Sequence, residues 1–324
     1  MYDRQEDSFN NIYFPAENFM GYGVNRLKFF YDMVRRGSSF DRIILSHINL
    51  LPIGWFIKKL FPKKRIILLA HGIEVWDPFK TRIRKMLQQC DIILAVSSFT
   101  RMRVIEVHGF PKENCTILNN CLDPFLHRHM LPKKDKNLME KYDFKQNDLI
   151  LLTITRLSSK ERYKGYDKVI EALSVIKEKY PEVKYLIAGR FDRQEKAYVD
   201  QLIKKLEMKS MVVIPGFIPD EELEAHFEMS DLYVMPSRKE GFGIVFIEAM
   251  YYGLPVIAGN ADGSTDALLF GELGKLVNPL DLGEIAEAIV GIIENKPAFT
   301  PSQKLLNDHF SYEVYKEKLA QALN

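Results

Sequence analysis

The chain has 324 residues, of which 47% are hydrophobic and 27% are charged. This length suits two domains of about 150 residues each, and the composition excludes an intrinsically disordered protein. The formal net charge is +2, but residues 1–132 carry 19 Lys and Arg against 12 Asp and Glu, whereas residues 133–324 carry 26 against 31. The basic first half fits either an anionic partner surface or ordinary solvated charge.

The cysteine content and the apolar runs limit the compartment. Cys90, Cys115 and Cys121 form no Cys-x-x-Cys pair, which predicts neither a disulfide framework nor a zinc site and favours a reducing environment. There is no apolar run of 18 residues to cross a membrane. The first residues, MYDRQEDSFNNIYF, are acidic and polar, unlike a signal peptide. We therefore expect a cytoplasmic protein.

Short apolar runs rich in β-branched residues recur along the chain. They predict strands at 42–47, 65–71, 91–97, 149–155, 183–189, 211–216, 231–237 and 255–259. Between the later runs, apolar residues recur every three or four positions, which predicts helices. Nearly continuous apolar strands alternating with helices indicate parallel sheets covered on both faces. The predicted fold class is therefore α/β and doubly wound.

A stretch with two prolines and dense charge, residues 123–148, indicates the domain boundary. We predict an N-terminal domain over 1–130 with three or four strands, and a C-terminal domain over 131–310 with five or six. The tail, 311–324, predicts a final amphipathic helix entered through Ser311 as N-cap, and we expect it to pack back on the N-terminal domain.

The most informative stretch is SRKEGFGIVFIEAMYYGLPVIAG, residues 237–259. The pattern predicts a loop, then a helix that ends at Gly253 with Pro255 beyond it. The amides of Gly241 and Gly243 then lie at the helix N-terminus, where N–H groups lack intrahelical partners and favour an anion or hydroxyls.

Two glutamates flank this turn. Glu248 lies about one turn into the helix, where a carboxylate can accept two hydrogen bonds from a vicinal diol such as a ribose. Glu240, ahead of the turn, can do the same for a sugar ring. Alternatively, Glu240 is a solvated loop acid and Glu248 a paired surface acid. We favour the functional interpretation because a carboxylate between IVFI and AM is costly without a partner.

Two cations follow the run at 149–155. Arg156 comes directly after it, and Lys164 opens the next helix. Because ligands of open α/β sheets bind beyond the carboxyl ends of strands, this pair suits a diphosphate, although loop cations are common. His71, at the end of the run 65–71, also lies at the carboxyl end of a predicted strand.

Taken in order, RLSSKERYKGYDKVIEAL, LIAG and PGFIPDEELEAHFEMSDLYVMPSRKEGFGIVFIEAMYYGLPVIAG resemble the C-terminal half of the retaining family 4 glycosyltransferases. HGIEVW and AVSSFTRMRVIEVHGFPKENCTILNNCLDPF resemble the later part of their N-terminal half. The resemblance covers roughly 42–324 and is most specific over 149–281. It implies the GT-B fold, two Rossmann-like doubly wound domains that face a cleft.

The resemblance also implies an activity. It is the transfer of a sugar, with retained anomeric configuration, from a nucleotide-diphosphate sugar to a glycan or lipid-linked acceptor. The setting would be cell-surface polysaccharide or glycolipid biosynthesis. No cofactor, no divalent metal and no nucleic acid are expected, and the sequence has no Asp-x-Asp cluster.

Site roles carry over from the same resemblance. Arg156 and Lys164 would stabilise the leaving diphosphate, and His71 would lie near the reacting carbon. The ribose would bind Glu248. The donor sugar would be held by Glu240 and by backbone amides over Gly241, Phe242, Gly243 and Ile244. The base would meet the backbone at Phe217 and Ile218.

Departures from the family pattern keep alternatives open. No opening strand with a glycine-rich loop is evident, since the only early glycine pair is GYG at 21–23, so we expect an N-terminal domain that is incomplete at its start. A non-catalytic nucleotide-sugar-binding or partner-binding relative is therefore the first alternative. A GT-B sugar-nucleotide epimerase is weaker, and a glycan phosphorylase is weaker still.

Two stretches of the first half combine large apolar residues with clustered cations. They are IGWFIKKLFPKKR (53–65) and DPFKTRIRKML (78–87). Such stretches can lie on an anionic membrane at its inner face, or they can be core-packed helices with a solvated basic side.

Overall fold

The computed structural model describes residues 12–13, 15–126 and 134–323. The chain divides into two compact units, Met1–Ala95 with Arg101–Thr116, and Val96–Thr100 with Ile117–Asn324. The boundary expected at 130/131 lies outside the described residues, as do most of the polar residues 1–14; the observed division falls earlier, after Thr116. The predicted packing of the final helix on the first unit stays a prediction.

The first unit is built on a four-stranded sheet of order β1-β2-β3-β4, in which the pairs β1–β2 and β2–β3 are parallel. Its strands are β1 (Arg42–Leu45), β2 (Arg65–Ala70), β3 (Ile92–Ala95) and β4 (Cys115–Ile117). Its helices are α1 (Arg26–Gly37), α2 (Leu51–Leu60), α3 (Thr81–Leu87) and most of α4 (Ser98–His108). Short 3-10 turns cover Ala16–Asn18, Ile48–Leu50, Ile73–Val75 and Lys112–Asn114. The apolar inner strands β2 and β3 form its core.

The second unit is built on a six-stranded parallel sheet. Its strands are β5 (Leu149–Ile154), β6 (Val183–Ala188), β7 (Val212–Gly216), β8 (Leu232–Met235), β9 (Val256–Gly259) and β10 (Lys275–Val277). Its helices are α5 (Lys136–Lys141), α6 (Tyr166–Ile176), α7 (Arg193–Lys205), α8 (Asp220–Met229), α9 (Ile244–Tyr251), α10 (Ser264–Ala267), α11 (Leu282–Glu294), α12 (Lys296–Phe299), α13 (Gln303–Phe310) and α14 (Tyr312–Leu323). Its 3-10 turns cover Arg162–Lys164 and Leu269–Gly271.

The strand order of this sheet is β10-β9-β8-β5-β6-β7. The chain therefore runs outward from β5 to β7, returns to the other side of β5, and continues outward to β10. One face of the sheet packs against α6 and α11, and the other against α8, α9 and α13. Burial on both faces explains the nearly continuous apolar strands.

All eight strands predicted from the sequence are present, with ends that differ by a few residues. The structure adds β4 and β10, which the sequence analysis missed because each has only three residues and no extended apolar run. α14 begins at Tyr312, directly after Ser311, as predicted. No helix within the described ranges is long and apolar enough to cross a bilayer.

Glycines let neighbouring loops of the second sheet approach one another closely. A Cβ added to Gly259, at the end of β9, would lie 1.9 Å from the Ser237 carbonyl oxygen. A Cβ on Gly189, after β6, would lie 1.7 Å from the Thr155 oxygen. Because both obstacles are backbone atoms, the loops beyond the strands can keep their positions only with glycine there.

We therefore expect Gly259→Ala to lower the free energy of unfolding by about 2 kcal/mol or more, since overpacking against backbone cannot relax through a side chain. The matched control is Gly291→Ala inside α11, where the nearest atom, in Phe299, is 3.9 Å away. That change should raise stability by about 0.5–1 kcal/mol. Urea denaturation measures both, and equal effects would contradict the close-approach account.

Candidate functional site

The candidate residues of the second unit gather at the carboxyl edge of its sheet. Arg156 lies two residues beyond β5, Phe217 directly follows β7, and Glu240 lies in the loop after β8. β5 and β8 are neighbours in space, and the strand order reverses between them. Such a reversal leaves a crevice beyond the strand ends, because the two chain segments leave the sheet in opposite directions.

Lys164 and Glu240 meet across this reversal. The Lys164 ammonium contacts a carboxylate oxygen of Glu240, and both side chains are mostly buried. The turn Arg162–Lys164 can approach β8 because Gly165 has φ +81°, and a Cβ there would lie 2.4 Å from the Pro236 carbonyl oxygen. The sequence prediction that these two residues belong to one site fits this geometry.

Asp262, which the sequence analysis missed, holds the backbone of Glu240 in place. Its Oδ2 accepts a hydrogen bond from Glu240 N at 2.6 Å, and its Oδ1 accepts one from Ser264 N at 2.9 Å. Gly263 N in turn donates to the Glu240 carbonyl at 2.8 Å. Burial raises the pKa of Asp262 to about 6. The residue could have been found, because it follows β9 by three positions and so lies at the same sheet edge.

Glu248 is a half-buried carboxylate on α9. Among the described residues, no cation or hydrogen-bond donor contacts its side chain. Burial, followed by the negative charges of Asp123 and Asp220, raises its pKa from 4.5 to about 7. The alternative of a paired surface acid therefore finds no partner for Glu248 in the part of the chain that the structure describes. An unpaired carboxylate in this setting offers acceptors to a ligand that brings hydrogen-bond donors.

The turn before α9 presents backbone rather than side chains. Gly243, with φ +86°, is the N-cap of α9, and Ile244, the first helical residue, is exposed. Phe242 turns its ring into the core, where it packs edge-on against Phe310 at 5.5 Å. Phe242 can therefore contact a ligand only through its backbone.

A cavity of about 460 Å³ lies beside the ends of β5, β6 and β7. Arg156, Arg190, Phe217, Ile218 and Asp220 are among its lining residues. The Phe217 ring is exposed and has the Arg190 guanidinium 4.7 Å from its centroid. The Ile218 side chain is buried, so the cavity has an aromatic face, a backbone edge and charges of both signs.

Arg156 reaches outward from the same cavity. Its side chain is largely exposed, and its Nη2 pairs with Glu161 Oε1 at 2.7 Å. The guanidinium is exposed whereas the Glu161 side chain is mostly buried, so a ligand of higher charge can reach Arg156 from solvent.

His71 belongs to the first unit, where it directly follows β2. Its Nε2 lies 2.8 Å from the Ser46 carbonyl oxygen and donates to it, which leaves Nδ1 as the acceptor nitrogen of the neutral ring. Its backbone N–H donates to Glu74 Oε1 at 2.6 Å. The imidazole is thus held at the carboxyl edge of its own sheet, and none of the described residues occupies its Nδ1.

Comparison with known families identifies the class of protein. Residues 134–309 match the model of the glycosyl transferases group 1, and residues 4–124 match that of Glycosyltransferase Family 4. The first match covers more than half of the 324 residues. The chain therefore belongs to the group 1, family 4 glycosyltransferases, as the sequence motifs indicated.

Over the aligned regions, between a quarter and a third of the residues are identical in the chain and in its curated relatives. A GDP-mannose-dependent alpha-(1-6)-phosphatidylinositol monomannoside mannosyltransferase of Mycolicibacterium smegmatis is 29% identical over 70% of this chain and 60% of its own. A mannosylfructose-phosphate synthase of Agrobacterium fabrum is 28% identical over 70% and 50%, respectively. The aligned region thus spans little more than half the length of these relatives.

Solved structures share the fold. Anabaena Alr3699/HepE in complex with UDP superimposes with a TM-score of 0.79 at 22% identity, over 91% of this chain and 82% of that one. Sucrose-phosphate synthase from Thermosynechococcus elongatus gives 0.70 at 19% identity, over 95% and 80%. The fold is therefore GT-B, with two α/β units on parallel sheets, as predicted. The predicted lack of an opening strand involves residues outside the described ranges and stays a prediction.

The raised pKa of Glu248 has a consequence for stability. Since folding raises the pKa from 4.5 to about 7, the folded state binds the proton more tightly, and wild-type stability falls as the pH rises through this interval. Glu248→Gln should therefore be more stable than wild type at pH 8, by at most about 3 kcal/mol. The difference should vanish near pH 4.5.

Urea denaturation at several pH values tests this expectation. The control is Glu178→Gln at an exposed position, whose effect should not vary with pH. A Glu248→Gln effect that is the same at pH 5 and pH 8 would contradict the burial account of Glu248.

Proposed function

We propose that this protein is a retaining glycosyltransferase that moves a sugar from a nucleoside-diphosphate sugar to a glycan or lipid-linked acceptor. The observation that carries the proposal is the carboxylate of Glu248, to which the described residues supply no partner, at the same sheet edge as the Lys164–Glu240 pair. The site thus offers acceptors for a diol, a cation for a diphosphate and a second carboxylate for sugar hydroxyls. Relatives named for GDP-mannose dependence or bound to UDP support the substrate class.

In this proposal the diphosphate binds Lys164 and Arg156. Each cation pairs with one carboxylate in the structure, Lys164 with the mostly buried Glu240 and Arg156 with Glu161, and the Arg156 guanidinium is itself largely exposed. A diphosphate carries more charge than either carboxylate and would displace it. Displacement from Lys164 would free Glu240 to accept hydrogen bonds from the donor sugar, next to the backbone of Gly241–Ile244.

The nucleoside would occupy the neighbouring positions. Glu248 would accept hydrogen bonds from both ribose hydroxyls, which would supply the donors that it lacks. The base would enter the cavity of about 460 Å³, against the Phe217 ring and the backbone of Ile218. An aromatic face and backbone groups hold any flat base, so these contacts alone do not select one base.

The chemical step follows from the charges. The bond between the anomeric carbon and the phosphate oxygen breaks, and the leaving diphosphate keeps the electron pair. The acceptor hydroxyl attacks the anomeric carbon on the same face, and its proton passes to the leaving phosphate oxygen. Arg156 and Lys164 stabilise the charge that develops on the diphosphate, so we expect transfer without a divalent metal. Neither glutamate acts as a nucleophile. The place of His71 near the reacting carbon stays a prediction from the family resemblance.

A comparison of nucleotide affinities tests whether Glu248 binds the ribose and Lys164 the diphosphate. Wild type should bind a ribonucleoside diphosphate more tightly than its 2′,3′-dideoxy analogue by about tenfold or more, the value of a hydrogen bond to a charged group. Glu248→Gln should lose much of this discrimination, whereas Lys164→Ala should weaken both ligands and keep their ratio. Thermal shift and calorimetry with UDP, GDP, ADP and dTDP identify the base first.

The outcomes separate enzyme from binding protein. Binding with donor turnover that persists in EDTA supports the metal-independent transferase. Binding without turnover would favour the non-catalytic alternative, and no binding of any nucleoside diphosphate would end both interpretations.

We further propose that the first unit rests on an anionic membrane, at its cytoplasmic side, where a lipid-linked acceptor would lie. Helices α1, α2 and α3 together carry nine Lys and Arg and one acid, Asp32. Large apolar side chains on α1 and α2 are exposed beside these cations, namely Leu27, Tyr31, Phe56 and Leu60. The other face of α2 packs inward through Ile53 and Ile57, as the core-packed interpretation of 53–65 expects, and the membrane proposal concerns only the exposed face.

Flotation with phosphatidylglycerol and phosphatidylcholine vesicles tests the membrane proposal. Because each cation near an anionic surface contributes about 1 kcal/mol, the triple variant Lys59→Glu, Arg82→Glu, Lys85→Glu should bind anionic vesicles at least about tenfold more weakly. Lys204→Glu with Lys205→Glu, at the end of α7, is the control and should float like wild type. Equal flotation of all three proteins, or none by wild type at low salt, would contradict the proposal.

A further inference from the structure

A carboxylate with no access to solvent lies behind the proposed diphosphate site. Glu195, in the first turn of α7, has 0% exposure. It accepts hydrogen bonds from Arg162 Nε at 2.8 Å and from the Tyr166 hydroxyl at 2.7 Å. The Arg162 guanidinium also stacks on the Tyr198 ring, 3.8 Å from its centroid. A buried charge is costly unless it is paired in this way, and Glu195 cannot touch a ligand.

The partners of Glu195 flank Lys164 in the sequence. Arg162 begins the 3-10 turn that ends at Lys164, and Tyr166 begins α6 two residues later. One carboxylate therefore holds the chain on both sides of Lys164. On its other side the same turn is joined to the loop of Glu240, since Arg238 N donates to the Tyr163 carbonyl at 2.8 Å.

Asp192 anchors the start of the same loop. It caps α7 by accepting from Glu195 N at 2.8 Å, and it also accepts from Ser159 N at 2.8 Å. The hydroxyls of Ser158 and Ser159 each donate to it at 3.1 Å. The loop between Arg156 and Lys164 is thus tied to the first turn of α7 near its beginning and at its end.

We propose that Glu195 is a positioning residue for the diphosphate, acting through Arg162 and Tyr166 to hold the Lys164 ammonium at its place beyond β5 and β8. This inference rests on the proposed function. It assigns a task to a residue that never meets the substrate. A buried ion pair usually stabilises a core no better than apolar residues of similar size would. The presence of Glu195 is therefore better explained by the orientation that it gives to Arg162 and Tyr166 than by packing.

The test compares nucleoside diphosphate with nucleoside monophosphate, using the base that wild type prefers. Glu195→Gln keeps the volume and an acceptor for Tyr166 but removes the negative charge that holds Arg162. Affinity for the diphosphate should fall by about tenfold, since a hydrogen bond between charged groups is lost. Affinity for the monophosphate should stay within about twofold, because its ribose and base contacts are untouched.

Two further variants keep the test decisive if Glu195→Gln does not fold. Tyr166→Phe removes one hydrogen bond and keeps the Arg162–Glu195 pair, so it should lower the diphosphate preference by a smaller factor. Glu171→Gln, which breaks the Lys168–Glu171 pair on α6, is the matched control and should leave the preference unchanged.

Each outcome decides the inference. Selective loss of diphosphate affinity in Glu195→Gln or Tyr166→Phe supports positioning. Equal weakening of both ligands would mean a merely structural role, and unchanged affinities would mean no role; either overturns the proposal. A wild type that does not prefer diphosphate over monophosphate would overturn the proposed function itself, which is distinguishable because no variant is needed to see it.

Discussion

The order of strands in the second sheet decides where every candidate residue of that unit lies. Because β5 and β8 are neighbours from which the chain leaves in opposite directions, the loops after them meet at one edge. Lys164 and Glu240 are 76 residues apart in the chain and touch there. The meeting is possible only because backbone approaches backbone at Gly165 and at Gly263, where a Cβ would lie 2.0 Å from the Gly241 oxygen. The meeting of these two loops thus explains both the close backbone packing and the glycines in the turn before α9.

The site contains two carboxyl groups at positions where burial disfavours the ionised form. The half-buried Glu248 and the buried Asp262 both have raised pKa values, about 7 and about 6. Asp262 is partly satisfied by backbone amides, whereas Glu248 has no such donors among the described residues. Folding therefore tolerates an unfavourable carboxylate at one position. Such costs are expected where a ligand, rather than the protein, completes the hydrogen bonding.

Much of this arrangement could be predicted from the sequence, for a physical reason. The carboxyl ends of parallel strands are binding edges, so residues that follow apolar runs, such as Arg156, Glu240 and His71, could be selected from the sequence alone. The reversal between β5 and β8 could not, because periodicity does not give strand order. The side chain of Phe242 illustrates the same limit, since two flanking glycines do not say whether the ring faces ligand or core.

The residues that were missed are hidden by their local patterns. Asp262 follows a strand but lies among small residues, NADGS, that look like an ordinary turn. Glu195 lies in EKAYVDQLIKKL, where apolar residues recur every three or four positions as in a surface helix. Only the tertiary structure shows that the Glu195 carboxylate is buried against Arg162. Buried polar networks of this kind depend on long-range contacts, which no local pattern encodes.

The most direct test of the account is a crystal structure of the protein with the nucleoside diphosphate that it binds most tightly. We predict the diphosphate between Arg156 and Lys164, the ribose hydroxyls on the Glu248 carboxylate, and the base against Phe217, with Lys164 released from Glu240. A nucleotide bound elsewhere, or one whose ribose does not touch Glu248 while the Lys164–Glu240 pair persists, would contradict the central claim.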